Sequence, residues 1–223
     1  YMCTGSEAND LAIRIAREYS GGTGIIVSQE AYHGTSDLTS GCSPALGTGQ
    51  TLAATTRLVA APDQYRFEGE DLGDWFAAQI QAQIDDMNAN GIKFAGFLAD
   101  SIFSSDGVMP NPIGFLKKAV DVVHANGGIF IADEVQPGFA RTGDSFWGFG
   151  RHGVVPDIIT TGKPMGNGIP VSGLLAKDHV LSAFSQKIPY FNTFGGNPVA
   201  MAAAQAVLKT IQEEELQAHS QRL

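Results

Sequence analysis

The segment 94–132 constrains the fold more than any other part of this sequence. Two runs that are apolar at consecutive positions, 94–99 and 129–132, flank a stretch at 113–124 whose apolar residues recur at helical spacing. Strands that are apolar at every position are covered on both faces, as in a parallel sheet with helices on either side. The segment therefore predicts a β-α-β unit, with inward helix residues Phe115, Leu116, Ala119, Val122 and Val123.

Further segments extend this alternation. Thr4 and Glu7 have capping-box spacing ahead of a helix predicted to end near residue 19, and a strand at 24–28 follows. Strands are also predicted at 157–161 and 171–176. A last helix at 198–218 is predicted to pack through Ala202, Ala203, Ala206, Val207 and Ile211. We therefore predict an α/β fold with three α/β/α layers and a mostly parallel sheet.

Residues 40–56 contain no charged side chain and show little periodicity. This pattern predicts a long loop that another surface covers, and a partner protein is one explanation. No internal repeat or low-complexity segment interrupts the rest of the chain.

Composition limits the class of partner. The 223 residues include 14 Lys and Arg against 23 Asp and Glu, a net charge of −9, so we expect no general attraction to nucleic acid or anionic membranes. No apolar run approaches the roughly 18 residues of a membrane helix. Cys3 and Cys42 form no CxxC pair, which is typical of a reduced, cytoplasmic protein, although a disulfide stays open. Residues 1–5 carry no basic region followed by an apolar stretch, so no secretory signal is visible, and any targeting segment is expected to lie outside this chain.

Two charged residues fall where a parallel sheet binds its ligands, beyond the carboxyl ends of strands. Asp133 directly follows the run 129–132, and Lys163 is the only charged residue between 158 and 176. Asp133 is interpreted as a ligand-binding carboxylate, and the alternative is an aspartate that caps the next turn. Lys163 is expected to be partly desolvated, since such an amine attacks carbonyls more readily; the alternative is an ordinary loop lysine.

Other residues suit a planar, anionic ligand. Gly5 and Ser6 precede a helix, whose free amides and positive dipole end favour a phosphate, although a serine there also serves as a plain N-cap. Tyr32 follows a strand and could stack on a ring or belong to the core. With Asp133 and Lys163, these residues predict a site for a planar, anionic aldehyde.

Competing motifs are absent. Pro164 stands where a P-loop needs Ser or Thr after its lysine, and no G-x-G-x-x-G or G-x-S-x-G is present. The five histidines have no metal-ligand spacing.

Six motifs in this order carry a family resemblance: Gly5-Ser6-Glu7-Ala8-Asn9-Asp10, Tyr32-His33-Gly34, Ala132-Asp133-Glu134-Val135-Gln136, Gly138-Phe139-Ala140-Arg141-Thr142-Gly143, Lys163-Pro164-Met165-Gly166-Asn167-Gly168 and Asn192-Thr193-Phe194-Gly195-Gly196-Asn197-Pro198. The chain resembles the class III aminotransferases, which are pyridoxal-phosphate (PLP) enzymes of fold type I. It is most similar to the branch of alanine-glyoxylate type aminotransferases and ethanolamine-phosphate phospho-lyases.

The resemblance implies that Lys163 binds PLP as a Schiff base and, once released, moves a proton between substrate carbon and cofactor. It implies that Asp133 pairs with the protonated pyridine nitrogen and so keeps the ring an electron sink. The other implied contacts are Val135 and Tyr32 on the ring faces, Gln136 on the ring hydroxyl, Gly5 and Ser6 on the phosphate, and Thr193 on the phosphate from a neighbouring subunit. A homodimer with shared active sites follows.

The implied activity is transamination from an amine or amino acid to a 2-oxo acid or aldehyde. The alternatives are elimination of phosphate from a phosphorylated amino alcohol, or an inactive isolated cofactor-binding domain. The family's Glu-Pro-x-x-Gly-x-Gly-Gly is replaced here by Asp100-Ser101-Ile102-Phe103-Ser104-Ser105-Asp106-Gly107, a departure near the substrate. The family's N-terminal segment and C-terminal small domain lie outside this chain, so 1–223 is expected to be the PLP-binding large domain of a longer enzyme.

Overall fold

The computed structural model describes residues 1–223 and contains one six-stranded sheet between two layers of helices. The strands are β1 (Gly24–Ser28), β2 (Thr56–Val59), β3 (Phe94–Ala99), β4 (Ile129–Asp133), β5 (Ile158–Thr161) and β6 (Gly173–Ala176). The helices are α1 (Gly5–Ser20), α2 (Asp37–Ser40), α3 (Leu72–Ala89), α4 (Leu116–Ala125), α5 (Asp178–Ser185), α6 (Pro198–Glu213) and α7 (Leu216–Arg222). None of the helices is both long and apolar enough to span a membrane.

The sheet order is β2-β1-β3-β4-β5-β6, and every neighbouring pair is parallel except β5 with β6, which is antiparallel. Side chains alternate between its faces. Phe130 and Ala132 of β4 pack toward α3 and α4, whereas Ile129 and Ile131 pack toward α1 and α5. Both faces are therefore apolar, and the predicted three-layer α/β/α fold with a mostly parallel sheet is confirmed.

The predicted capping box is present at the start of α1. The Thr4 side chain accepts from the Glu7 amide, and the Glu7 carboxylate accepts in return from the Thr4 amide. The helix ends at Gly21, whose φ of 67° needs a residue without a side chain. The capping box of Thr4 and Glu7 fixes where the first turn of α1 begins.

Several predicted boundaries are wrong. The helix predicted at 113–124 begins at Leu116 because Gly114, with φ 89°, breaks the first turn. Val120 is buried on its inner face, whereas Val122 is only half-buried. The strands predicted at 157–161 and 171–176 begin one and two residues later.

The last predicted helix is two helices. Glu215 has φ 49°, a left-handed conformation that ends α6 and starts α7. Ala202 and Ala206, predicted to pack inward, are exposed, and only Ala200 of α6 is buried. The reason is that α6 lies against the loop at 163–165 rather than on the sheet. The loop predicted at 40–56 is present at 41–55, between α2 and β2, and contains one short 3-10 helix, Pro44–Leu46. The sequence patterns do not predict β2, α3 and α5.

Candidate active site

Asp133 lies at the end of β4 on the sheet face that packs against α1. Because side chains alternate along a strand, Asp133 points to the same side as Ile129 and Ile131. The residue is 5% exposed, so its carboxylate is buried. The ladder pairs Asp133 with Thr160 of β5, which fixes its position against the next strand.

Three donors from separate segments hold the Asp133 carboxylate. Oδ2 accepts from Asn9 Nδ2 at 2.8 Å and lies 2.7 Å from His33 Nδ1, while Oδ1 accepts from the Val135 amide at 3.0 Å. Asn9 also accepts from the Thr160 hydroxyl at 2.6 Å. The hydrogen bond from the Val135 amide to Oδ1 is the turn cap that the alternative interpretation of Asp133 predicts. Asp133 also lines the cavity, so it is available to a ligand as well.

Lys163 follows β5, the strand beside β4, and begins a one-turn 3-10 helix, Lys163–Met165. Its Nζ donates to Gln136 Oε1 at 3.0 Å. The expectation of a desolvated lysine is wrong for this chain, because the Lys163 side chain is exposed at the mouth of the cavity. No segment of the chain covers that side.

The first turn of α1 forms one wall of the site. The amides of Gly5 and Ser6 lie in the turn that has no helical acceptors, and the Ser6 hydroxyl accepts from the Thr35 amide at 3.0 Å. Gly34, with φ 134°, lies so close that a Cβ there would be 2.5 Å from Ser6 Oγ. A Cβ at Gly5 would be 3.0 Å from Val135 Cγ1. The Gly34 backbone therefore lies close to Ser6 and the Gly5 backbone close to the Val135 side chain, and amides are available to an anion.

These segments enclose a cavity of about 230 Å³. It is lined by Thr4, Gly5, Ser6, Asn9, Tyr32, His33, Gly34, Asp100, Ser104, Ser105, Asp133, Val135, Gln136 and Lys163. Burial, with the nearby Asp133 charge, raises the pKa of Asp100, which accepts from the Ile102 and Ser104 amides. The lining is thus mostly polar, with two carboxylates on its inner side and a lysine at its mouth.

Glu134, the next residue after Asp133, points to the opposite face of the sheet. Burial raises its pKa to about 7, against hydrogen bonds from the Ser101 hydroxyl and from the Gly148 and Phe149 amides. Glu134 therefore connects the chain after β3 with the 3-10 helix Gly148–His152, on the sheet face opposite Asp133.

His152 joins the same two segments. Burial lowers its pKa to about 4, so the ring is neutral near neutral pH. Nδ1 accepts from the Gly114 amide at 3.2 Å, and Nε2 donates to the Ser101 carbonyl at 2.9 Å. Together with Glu134, this ring sets the start of the loop that carries Ser104 and Ser105.

The start of the chain is bonded to the segment after Lys163. Met2 and Ser172 exchange two backbone hydrogen bonds, of 3.0 and 2.8 Å, and the Ser172 hydroxyl donates to the Thr4 carbonyl. The N-terminal wall of the cavity and the lysine loop are thus directly connected.

Comparison with known proteins assigns the chain to a family. The family model "Aminotransferase class-III" matches residues 1–223. The chain belongs to the class III aminotransferase family.

Relatives in this family include both transferases and lyases. Human mitochondrial alanine–glyoxylate aminotransferase 2 is 36% identical, with 99% of this chain and 47% of the relative covered. Ethanolamine-phosphate phospho-lyase homolog 1 of Caenorhabditis elegans is also 36% identical, with coverages of 99% and 51%. An Arthrobacter phospholyase solved in complex with phosphoethanolamine is 39% identical and superimposes with a TM-score of 0.91, covering 97% of this chain and 52% of that one. This class III chain thus spans about half the length of the curated relatives it matches.

The cavity brings together seven of the eight site residues predicted for a class III aminotransferase. They are Gly5, Ser6, Tyr32, Asp133, Val135, Gln136 and Lys163. Tyr32 is 40% exposed and therefore not a core residue. Thr193 is exposed and does not line the cavity, and its predicted role in a neighbouring subunit stays a prediction.

Asn9 and His33 are site residues that the sequence patterns do not predict. Asn9 is a polar residue beside the apolar face of α1, and a buried polar residue in that position indicates a specific partner. His33 belongs to the motif Tyr32-His33-Gly34, but its contact with Asp133 spans a hundred residues of sequence. Within the whole chain, no group of three or more His, Cys, Asp or Glu residues is placed to hold a metal ion.

Proposed function

We propose that this chain binds PLP and serves a PLP-dependent aminotransferase. The observation that carries the proposal is the pairing of a buried carboxylate and a lysine at one cavity. Asp133 and Lys163 come from adjacent strands and line the same cavity, while the amides of Gly5 and Ser6 form another wall. A buried acid for a ring nitrogen, an amine for an aldehyde and amides for a phosphate are the three requirements of this cofactor.

The residues present fit PLP by chemistry and by space. His33 Nε2 is buried, has no partner within the chain and belongs to a residue that lines the cavity. An unpaired polar atom in such a position is costly unless a ligand or water completes its bonding. Gly5 and Gly34 both line the cavity, and a Cβ at either would press on the neighbouring wall, at Val135 or at Ser6.

Each residue has a definite task in this proposal. Asn9 and His33 hold Asp133 Oδ2, so that the carboxylate faces the ring nitrogen. Val135 limits the ring on one side and Tyr32 on the other, and Gln136 orients both the ring hydroxyl and Lys163 Nζ. Bound PLP supplies an electron sink for cleavage of the substrate C–H bond. Lys163 Nζ takes that proton and returns it at a different carbon.

The substrates of the proposed reaction are an amino donor and a 2-oxo acid or aldehyde. The proposal includes a homodimer in which Thr193 reaches the phosphate of the partner's cofactor. A homodimer also accounts for the solvent exposure of Lys163, because a second subunit would cover the mouth of the cavity.

A second candidate is a PLP-dependent phospho-lyase. It is favoured by the 39% identity to the Arthrobacter phospholyase, whose structure contains phosphoethanolamine. It would use the same Asp133 and Lys163, with loss of phosphate from the carbon next to the amine-bearing carbon.

The first test is covalent labelling with PLP and borohydride. Reduction of the PLP-loaded protein should attach a pyridoxyl group to the peptide that contains Lys163, as read by mass spectrometry. Lys163→Ala should lose this label, whereas Lys93→Ala, a variant at an exposed lysine away from the cavity, should keep it. Labelling spread over surface lysines would contradict the proposed site.

The second test separates the two reactions. An aminotransferase should convert bound PLP to pyridoxamine phosphate when L-alanine is added, with an equimolar yield of the 2-oxo acid. A phospho-lyase should release inorganic phosphate, ammonia and an aldehyde from phosphoethanolamine without any oxo-acid acceptor. Only the first outcome supports the aminotransferase.

A further inference from the structure

A second, smaller cavity lies beside the proposed PLP site. It has a volume of about 220 Å³ and is lined by Val135, Gln136, Arg141, Lys163 and Pro164. Three of these residues also line the larger cavity, so the two spaces share the wall formed by Val135, Gln136 and Lys163. Arg141 and Pro164 line only the smaller cavity, and of these two only Arg141 is charged. The proposed function does not use Arg141.

The backbone before Arg141 has an uncommon conformation. Phe139 and Ala140 have φ values of 63° and 64°, a left-handed conformation at two consecutive residues that carry a Cβ. Such strain persists only where the surroundings enforce it, and it concentrates at functional sites. The turn has a clear structural result, since it brings Arg141 to the wall of the cavity.

Packing enforces this turn. The Phe139 ring lies 5.4 Å from Phe146 and 5.6 Å from Trp147, and the Ala140 amide donates to the Phe146 carbonyl at 2.9 Å. A Cβ at Gly138 would be 2.7 Å from the Glu134 carbonyl, so the preceding backbone also has little freedom. Arg141 is therefore an exposed side chain on a fixed backbone.

The Arg141 guanidinium has no acidic partner. Arg57, Arg66 and Arg151 each pair with an aspartate, whereas Arg141 forms no ion pair within the chain. The carboxylates of Asp100 and Asp133 lie on the inner side of the larger cavity, which leaves Lys163 and Arg141 as the cations near its mouth. An anionic group on a ligand would therefore be repelled at the inner side and attracted to Arg141.

We propose that Arg141 binds the anionic group of the amine substrate and so selects amines that carry an oxyanion. The inference rests on the proposed function, since the amine must react at Lys163. A guanidinium binds a carboxylate and a phosphate through the same paired N–H donors, so both groups belong to the proposed class. The substrate would lie with its amine at Lys163 and its oxyanion at Arg141.

The equilibrium test uses anions that have no amine and cannot react. The dissociation constants of acetate and of methyl phosphate are measured by NMR titration of the protein without PLP. Arg141→Gln should weaken binding of at least one of them about tenfold, and Arg141→Lys should recover part of the loss. Binding at the Gly5 and Ser6 amides is common to all variants, so the difference between variants reports Arg141.

The two anions identify the oxyanion. A loss confined to acetate indicates a carboxylate, a loss confined to methyl phosphate indicates a phosphate ester, and either result supports the proposal. Arg66→Gln, at an exposed arginine that pairs with Asp63, should leave both constants unchanged. Equal affinities in Arg141→Gln and the wild type for both anions would overturn the proposal.

The kinetic test uses the PLP-loaded protein with L-alanine, phosphoethanolamine and 1-aminopropane. In Arg141→Gln, KM should rise about tenfold for the anionic amine that reacts, with kcat little changed and 1-aminopropane unaffected. An equal rise for all amines would mean a general distortion and would count against selection by Arg141. Failure to load PLP would refute the proposed function, while the anion titration would still decide on Arg141.

Discussion

Asn9 connects three parts of the candidate site through one small side chain. Its Nδ2 donates to the Asp133 carboxylate and the His33 carbonyl, both at 2.8 Å, and its Oδ1 accepts from Thr160. Since all these groups are buried, removal of the amide would leave several of them without partners. The position of the acid therefore depends on the hydrogen bonds of Asn9.

Asn9→Ala should lower the free energy of unfolding by about 2–4 kcal/mol, because buried polar groups lose their hydrogen bonds. It should also weaken PLP retention, since Asp133 would no longer be held. Urea unfolding and a PLP titration measure the two effects. Asn88→Ala, at an exposed position of α3, should change stability by less than about 0.5 kcal/mol. Equal stability of the two variants would contradict this account.

Gly34 is the point of closest approach between its loop and α1. Gly34→Ala should cost about 2–4 kcal/mol, because a Cβ would lie 2.5 Å from Ser6 Oγ and the positive φ adds strain. Gly47→Ala is the matched control: φ is 94° but no atom lies within 4 Å of the added Cβ. That variant should cost only about 1 kcal/mol. A similar loss of thermal stability in both would mean that the clash at Ser6 relaxes freely.

The individual elements differ in how far the sequence predicts them. The apolar runs of β3 and β4 and the capping box of α1 are local patterns, and they were predicted to within about a residue. The helix α3 had an unused signal, since its buried Leu72, Phe76, Ile80 and Ile84 recur at helical spacing. The break at Glu215 had no signal, because a left-handed glutamate opposes local preference and depends on tertiary context.

The site itself divides in the same way. Asp133 and Lys163 could be predicted because the end of a parallel strand is a recognisable place in a sequence. Asn9 and His33 meet Asp133 across long stretches of chain, and only the packing of α1 on the sheet brings them together. The turn at Phe139 and Ala140 was not predictable, since neither residue favours a positive φ.

His152 links the chain after β3 to the helix Gly148–His152, and it should make the free energy of unfolding depend on pH. Its pKa is lowered from 6.5 to about 4, so between these values the unfolded chain binds a proton that the folded chain does not. The free energy of unfolding should therefore fall by up to about 3 kcal/mol from this group as the pH drops through that range. Glu134 acts in the opposite direction, because its raised pKa of about 7 favours the folded state on acidification.

His152→Gln isolates the histidine. Glutamine can keep both hydrogen bonds but cannot take up a proton, so the variant should lose less stability than the wild type between about pH 6.5 and 4. Urea unfolding at several pH values measures the difference. His219→Gln, at an exposed position of α7, should follow the wild type. Parallel curves for the wild type and His152→Gln would refute the assignment.

The whole molecule presents an apolar surface around α6. Phe191, Phe194 and Val199 are 83%, 68% and 71% exposed and lie before or at the start of that helix. Contiguous apolar side chains in water favour association, which agrees with the proposed homodimer. The predicted phosphate contact of Thr193 falls in the same segment, so dimer formation and completion of the site would be one event.

Phe194→Glu should weaken self-association at least about tenfold, because a charge would have to be buried in an apolar contact. Sedimentation equilibrium over a range of protein concentrations measures the constant. Tyr65→Glu is the control, since Tyr65 is 92% exposed in the loop before α3 and away from α6. If both variants associate as the wild type does, the surface around α6 is not the one involved.

The hydrogen bonds between Met2 and Ser172 couple residues 2–4 to the segment that follows Lys163. Ser172 lies between Lys163 and β6, and its amide, carbonyl and hydroxyl are all bonded to residues 2–4. Asp133, by contrast, is anchored by the ladder of the sheet. The chain between Lys163 and β6 is therefore held by the segment before α1, whereas Asp133 is held by the sheet. The relative position of the amine and the acid then depends on how residues 2–4 lie against Ser172.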